Sequence, residues 1–327
     1  MMIQNCPVEV LDDIFDCTAY SDPENAQAVL CSLMLTCSHF RVIAKRHFIR
    51  IVCLPNAEKV NAFAGYLKRV VKSDDYGSRV LPIQHLAVAG KYRIPRGRSY
   101  RVRTYAEVKA ERALPSIITI ASPSLLTLTI IGVDSHMEGE VVGENKLHYK
   151  RGVSDMVKFP QLRELVVLDQ HVIRLNSDKN GDNTADVYRY PNLHKLYILG
   201  DHSLGGFPSL LPNLRHLRLE MLNSTHARLP SLDKTLHFHS LIIDAPQYEY
   251  LIINGCFATY QSTPDYDGTI DRYRTFIKSV CDSGDSGVVI PAVGNTRCTD
   301  PRRILAAWAN AVAGGVGCWT TAWAPTV

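Results

Sequence analysis

Apolar residues along the chain recur with two different periods. Between residues 7 and 48 they fall three and four apart: Pro7, Val10, Leu11 and Ile14, then Ala26, Val29, Leu30, Leu33 and Met34, then Phe40, Ile43, Ala44 and Phe48. Each set lies on one face of a helix, so the pattern predicts three short amphipathic helices. Pro7 suits a helix start, and Glu9, Asp12 and Asp13 come in the next turns, where the helix dipole favours acids. The second helix is expected to open at Ser21-Asp22-Pro23-Glu24, which has a capping-box pattern and an early proline. The third begins near Ser38, with Arg41, Lys45 and Arg46 turned outward.

From Ile51 the pattern changes to short β-like segments, and one motif recurs: P-x-L-x-x-L-x-ψ, where ψ is aliphatic. It occurs at Pro123-Leu125-Leu128-Ile130, Pro160-Leu162-Leu165-Val167, Pro191-Leu193-Leu196-Ile198 and Pro212-Leu214-Leu217-Leu219. A leucine-rich repeat needs this alternation, with the proline and first leucine closing one arc and the next two apolar residues pointing into the core. Weaker copies sit at Ile83-Leu86-Val88 and Leu236-Leu241-Ile243, and Ile51-Val52-Cys53-Leu54 supplies a joining strand. Six or seven parallel strands are expected, at unequal intervals of about 21 to about 40 residues and without a regular asparagine ladder. Ala57 to Val71, with Val60, Phe63, Leu67 and Val70 in phase, predicts a helix on the convex side. The opposite, concave face would carry Arg163, Val166, His194, Tyr197, His216, Arg218 and Ile242. These are candidates for partner contact as well as for ordinary solvated surface.

Within the first 54 residues, three strings stand in a characteristic order: Pro7-Val8-Glu9-Val10-Leu11-Asp12-Asp13-Ile14-Phe15, Leu35-Thr36-Cys37-Ser38-His39-Phe40-Arg41-Val42-Ile43-Ala44 and Phe48-Ile49-Arg50-Ile51-Val52-Cys53-Leu54. Together they resemble an F-box of the type found in fungal F-box proteins. Cys6 stands where the family usually has leucine, and Asp16 to Gln27 lacks its typical second-helix leucine pattern. The resemblance implies docking onto the Skp adaptor of a cullin–RING ubiquitin ligase, with Pro7, Val10, Leu11 and Ile14 buried in the interface. A few apolar anchors would then supply most of the binding energy. The alternative is that these residues pack the three helices on one another and on the following domain.

Composition narrows the field. A hydrophobic fraction of 46% and a charged fraction of 21% are those of a folded protein, and a formal net charge of +4 over 327 residues gives no reason to expect nucleic acid or a membrane as partner. No secretory signal and no bilayer-spanning apolar run is expected, which points to the cytoplasm or nucleus. Nine cysteines without C-x-x-C spacing suggest neither disulfides nor a metal site.

Candidate chemistry is sparse. Lys91 to Arg103 interleaves cations with tyrosines and is expected to be a solvated loop or a grip for phosphate or an acidic partner peptide. Gly284-Asp285-Ser286-Gly287 lacks a base to activate the serine. Asp178 to Asn183 misplaces the glycine of a calcium loop, and Arg189 stands where a bidentate glutamate is required. His237 and His239 share a strand face without a third ligand. Gly314-Gly315-Val316-Gly317 comes after a helical segment and is expected to be a helix stop.

Past Cys256, a helix through Ile270, Tyr273, Ile277 and Val280, a strand at Val288-Val289-Ile290 and a helix from Asp300-Pro301 bearing Ile304, Leu305, Trp308 and Val312 are expected to cap the last coil. The tail Gly315 to Trp319 also resembles the ending of some fungal F-box proteins.

The expected fold is therefore α/β. A three-helix F-box-like module (1–54) precedes an irregular leucine-rich-repeat solenoid with a curved parallel sheet (55–255) and a C-terminal capping region (256–327). No set of residues supplies nucleophile, base and orienter, so neither an enzyme nor a cofactor is expected. The expected function is substrate recognition in an SCF-type ligase, with the adaptor, and through it the cullin, on one side and an unidentified target protein on the other. The alternative is a repeat scaffold that binds protein without ligase association.

Overall fold

The computed structural model describes residues 6–23, 25–72, 81–89, 104–131, 157–168, 190–199, 211, 213–222, 250–256, 288–289 and 301–319. Three helices come first: α1 (Val8–Ser21), α2 (Ala26–Thr36) and α3 (Ser38–His47). After them come β1 (Ile51–Leu54), α4 (Ala57–Lys72), β2 (His85–Ala89), α5 (Tyr105–Ala121), β3 (Thr127–Ile131), β4 (Glu164–Leu168), β5 (Lys195–Leu199), β6 (His216–Leu222), β7 (Tyr250–Cys256), β8 (Val288–Val289) and α6 (Pro301–Val312).

The eight strands form one sheet in sequence order, and every neighbouring pair is parallel. The protein is thus α/β, with two strands more than the shorter of the expected arrays. Each copy of the proline–leucine motif becomes one strand with its lead-in. The lead-in leucines Leu125, Leu162, Leu193 and Leu214 are buried, as are the strand positions Leu128, Ile130, Leu165, Val167, Leu196, Ile198 and Leu217. The weaker copy at Ile83 forms β2, and that at Leu236 lies outside the described residues; the next described strand, β7, runs at Tyr250–Cys256.

The lead-ins are stitched by a ladder. Gln84 N–H donates to the Arg50 carbonyl (2.9 Å), Leu126 to Gln84 (2.7 Å), Arg163 to Leu126 (2.8 Å), His194 to Arg163 (2.9 Å) and Arg215 to His194 (2.9 Å). Side chains add rungs beside it. Asn192 Nδ2 donates to the Pro160 carbonyl and Asn213 Nδ2 to the Pro191 carbonyl, both at 2.6 Å, and Ser124 Oγ donates to the Leu81 carbonyl at 2.7 Å. Asparagine holds the middle of P-x-L in two of the four copies, where its amide reaches the carbonyl of the preceding proline corner; Ser124 and Gln161 hold it in the other two, so these rungs are not a regular asparagine ladder.

Both faces of the sheet are covered over β1–β5, as a parallel sheet requires. On one face, Val52, Leu54, Leu86, Val88, Leu128 and Ile130 meet Val60, Phe63, Leu67 and Val70 of α4 and Leu114, Ile117 and Ile118 of α5. The apolar pattern does not predict α5, although its start is marked. Thr104 Oγ1 accepts from Glu107 N–H (3.3 Å) and Glu107 Oε2 accepts from Thr104 N–H (2.9 Å), a complete capping box. Pro115 lies within the helix and conceals it from a periodicity search.

On the other face lie the N-terminal helices and α6. Their buried residues, among them Leu11, Phe15, Ala19, Leu30, Ile43, Ile304, Trp308 and Val312, form one cluster with Ile51, Ala87, Ala89, Ile131, Val166 and Tyr197. Helix α6 packs on β2 and β3. The expected role of the C-terminal region as a cap on the last coil is corrected for this helix, which lies across the early strands. The physical reason is room: Cys53, Ala87, Ala89 and Thr129 leave a shallow bed that an apolar helix fills.

Candidate interaction surfaces

The stripe expected on α1 divides in the structure. Leu11 is 1% exposed and joins Phe15 and Ala19, four residues apart each time, on the buried face, where Phe15 meets Phe40 edge-on at 5.2 Å. Val10 and Ile14 are 45% and 47% exposed, and Pro7 and Val8 are exposed beside them in sequence. Leu11 thus belongs to the interior and not to an accessible stripe, a correction of one position in the helical phase.

Electrostatics ties α1 to the end of α3 and to the residue before β1. His47, buried at the end of α3, places Nε2 2.9 Å from Asp12 Oδ1 and Nδ1 3.1 Å from Asp16 Oδ1, and Arg50 also bonds Asp16. Helix α2 starts at Ala26, later than the predicted cap, because Asp22 closes a turn instead: Asn25 N–H donates to Asp22 Oδ1 and Asn25 Nδ2 to Asp22 Oδ2. Helix α3 is capped by Cys37, whose sulfur accepts from Phe40 N–H at 3.4 Å.

A polar chain then crosses the sheet. Tyr20 Oη donates to Gln84 Oε1 (3.1 Å) and lies 3.4 Å from His85 Nε2, His85 Nδ1 meets Thr127 Oγ1 (3.0 Å), and the Trp308 indole N–H donates to that same hydroxyl (3.3 Å). Burial and the Arg50 guanidinium lower the His85 pKa to about 4, against a smaller opposing pull from Asp16. Burial, with the Asp16 carboxylate, raises the Tyr20 phenol.

Of the seven residues expected on the concave face, the six that are described fall into three groups. Val166, Tyr197 and Arg218 occupy the middle of β4, β5 and β6 and are buried. The Arg218 guanidinium stacks 5.0 Å from the Tyr197 ring centre and donates to the Cys318 carbonyl. His216 is partly buried against Trp319, whose ring also receives the Lys195 ammonium at 5.8 Å. Burial pushes the neighbouring Glu164 carboxyl up, opposed by the Trp319 indole and the Lys195 ammonium. Arg163 and His194 lie one residue before their strands, Arg163 exposed and His194 half-buried. An open concave site centred on Val166, Tyr197 and Arg218 is therefore corrected, since α6 and the residues after it cover them. Ile242 lies outside the described residues.

That cover depends on the turn after α6. Gly314 and Gly317 have φ of 87° and 59°, and a Cβ at Gly315 would sit 2.3 Å from Asn310 Oδ1. Gly317 N–H donates to Asn310 Oδ1 (2.9 Å), so the chain folds back on α6 and delivers Cys318 and Trp319 to β4–β6.

Among the described residues no cluster of three metal-ligating side chains occurs, and no helix is long and apolar enough to cross a membrane. The segments 91–103, 178–189, 237–239, 270–280 and 284–287 lie outside the described residues. Compared with known proteins, the chain matches no family model, no curated protein and no solved structure.

Proposed function

We propose that this protein is the substrate-recognition subunit of an SCF-type ubiquitin ligase, in which the N-terminal module is an F-box docked on the Skp adaptor. The observation that carries the reading is the distribution of exposed apolar side chains. Of the eight large hydrophobic residues exposed among the described residues, five lie in the first 42: Val8, Val10 and Ile14 on α1, Leu35 on α2 and Val42 on α3. Exposed apolar groups gathered on one small module mark a binding surface. The helices carrying them are held from behind by Leu11, Phe15, Leu30 and Ile43, so the surface is preformed.

The parallel sheet, with its P-x-L-x-x-L lead-ins and rungs at Ser124, Asn192 and Asn213, supports reading the remainder as a leucine-rich-repeat solenoid. Such a chain does no covalent chemistry. It raises the concentration of a target beside the ubiquitin-loaded partner, and its rigidity matters because misplacement cancels that gain.

Co-expression of the full chain with an affinity-tagged Skp adaptor tests the reading. Co-purification of the chain in stoichiometric amount is expected. Failure to co-purify, with the chain soluble and folded, rejects the ligase assignment.

A further inference from the structure

The sheet face that carries α6 changes character between β3 and β4. On β2 and β3, where α6 packs, it presents Ala87, Ala89, Thr129 and Ile131. On the next strands the same face presents Glu164 and Lys195, which are partners in register, and Arg218. Charges in the middle of a sheet are costly to bury, so this half suits contact with a polar partner better than a permanent core.

Over those charges lie residues 316–319. The Lys195 ammonium is 5.8 Å from the Trp319 ring centre, the His216 ring is 6.0 Å from it, and Arg218 donates to the Cys318 carbonyl. The buried indole N–H meets the Glu164 carboxyl without the geometry of a full hydrogen bond, so this cover fits its bed imperfectly.

The anchors of helix and cover are unequal. Helix α6 is fixed by Ile304, Leu305, Trp308 and Val312, all buried. The cover inserts Cys318 and Trp319 alone, while Val316 is 62% exposed. Its course depends on Gly314 and Gly317 in the left-handed region and on the bond from Gly317 N–H to Asn310 Oδ1. A segment that buries so little apolar surface opens at a lower free energy than the helix before it.

We propose that residues 316–319 are an internal, displaceable cover over a recognition site on β4–β6, and that this site takes a tryptophan-bearing linear segment of a partner protein. The tail shows the chemistry that fits: an indole beside Lys195 and Glu164, preceded by a backbone carbonyl. The partner competes with the tail, which lowers its apparent affinity by the fraction of molecules that are open. This inference rests on reading the chain as a receptor, and it adds that the receptor is closed by its own C-terminal turn.

The test uses the full chain and a fluorescein-labelled peptide copying residues 315–320, read by anisotropy, beside the same peptide carrying Trp319→Ala. The chain variant Trp319→Ala vacates the site and should bind the first peptide at least tenfold more tightly than the wild type does. Adding Lys195→Gln to that variant should weaken the binding about threefold, the size of a modest cation–π contact. Gly317→Val puts a Cβ 2.8 Å from Ala311 Cβ at a φ of 59°, which breaks the turn with Trp319 retained, and should also raise peptide binding above the wild-type level. No binding by folded Trp319→Ala, equal binding by the wild type, or equal binding of the peptide without tryptophan overturns the proposal. Unfolding of both Trp319→Ala and Gly317→Val, seen by far-UV circular dichroism, overturns it too, because the tail would then be permanent core. Adaptor co-purification is measured on the same samples and should be unchanged in both variants. Adaptor binding without peptide binding rejects this inference alone, and peptide binding by a chain that never binds the adaptor rejects the ligase reading alone.

Discussion

The Trp308 indole N–H donates to the Thr127 hydroxyl at 3.3 Å, joining residues 181 positions apart and pinning the C-terminal helix to the third strand. The same hydroxyl meets His85, which in turn lies against Tyr20 of α1. N-terminal module, sheet and C-terminal helix thus share one partly buried seam, and changes on any side of it should be felt as loss of global stability.

Trp308→Ala removes a large side chain that is 4% exposed from that seam. It is expected to cost about 3–5 kcal/mol, the range for truncating a buried aromatic. Chemical denaturation monitored by far-UV circular dichroism checks this. A loss below about 1 kcal/mol would mean that α6 is not part of the folded core.

His85 makes stability depend on pH. Its folded pKa of about 4 lies below the ordinary histidine value of 6.5, so the folded state binds its proton more weakly than the unfolded chain. The contribution is present above pH 6.5 and is lost as pH falls through 6.5 toward 4. Its size is on the order of 3 kcal/mol at full effect, since each tenfold loss of proton affinity on folding is worth roughly 1.4 kcal/mol. Unfolding midpoints of wild type and His85→Gln, measured between pH 7 and pH 4, should converge as the solution becomes acid. A constant gap contradicts the assignment.

Asn192 and Asn213 are predicted to be stabilising although both are exposed. Each amide satisfies a proline-corner carbonyl of the preceding unit at 2.6 Å, so Asn192→Ala and Asn213→Ala should each cost about 0.5–1.5 kcal/mol by denaturant titration. Gln161, at the equivalent position of β4's lead-in, offers a built-in comparison. Alanine variants at both asparagines that unfold like the wild type would show that these rungs carry no stability.

How much of the fold is legible in the sequence depends on how local each signal is. The proline–leucine motif places a leucine, a turn and two strand positions within eight residues, and β3, β4, β5 and β6 all form on it. Ile304, Leu305, Trp308 and Val312 are likewise in phase on one helix face and all are buried. The destination of that face is not legible, because the bed beneath it is assembled from Ala87 on β2 and Thr129 and Ile131 on β3, each read alone as an ordinary strand residue. The covering of Val166, Tyr197 and Arg218 is hidden for the same reason. On α1 the ambiguity is angular: Val10, Leu11, Ile14 and Phe15 alternate between two adjoining faces, and only packing against Phe40 and Ile51 decides that Leu11 and Phe15 face inward. Helix α5 is masked by Pro115, although Thr104 and Glu107 spell its cap.

The division on α1 governs how docking is to be probed. Leu11→Asp would bury a carboxylate in the module and unfold it, whereas Val10 and Ile14 are accessible and can be altered with the core intact. The most direct measurement is therefore a calorimetric titration of the full chain with purified Skp adaptor, run beside the variant Val10→Asp with Ile14→Asp. Saturable one-to-one binding is expected of the wild type, with at least a hundredfold weakening in the variant and its unfolding midpoint preserved. Absence of binding by the folded wild type, or equal affinity in the variant, would contradict the F-box assignment.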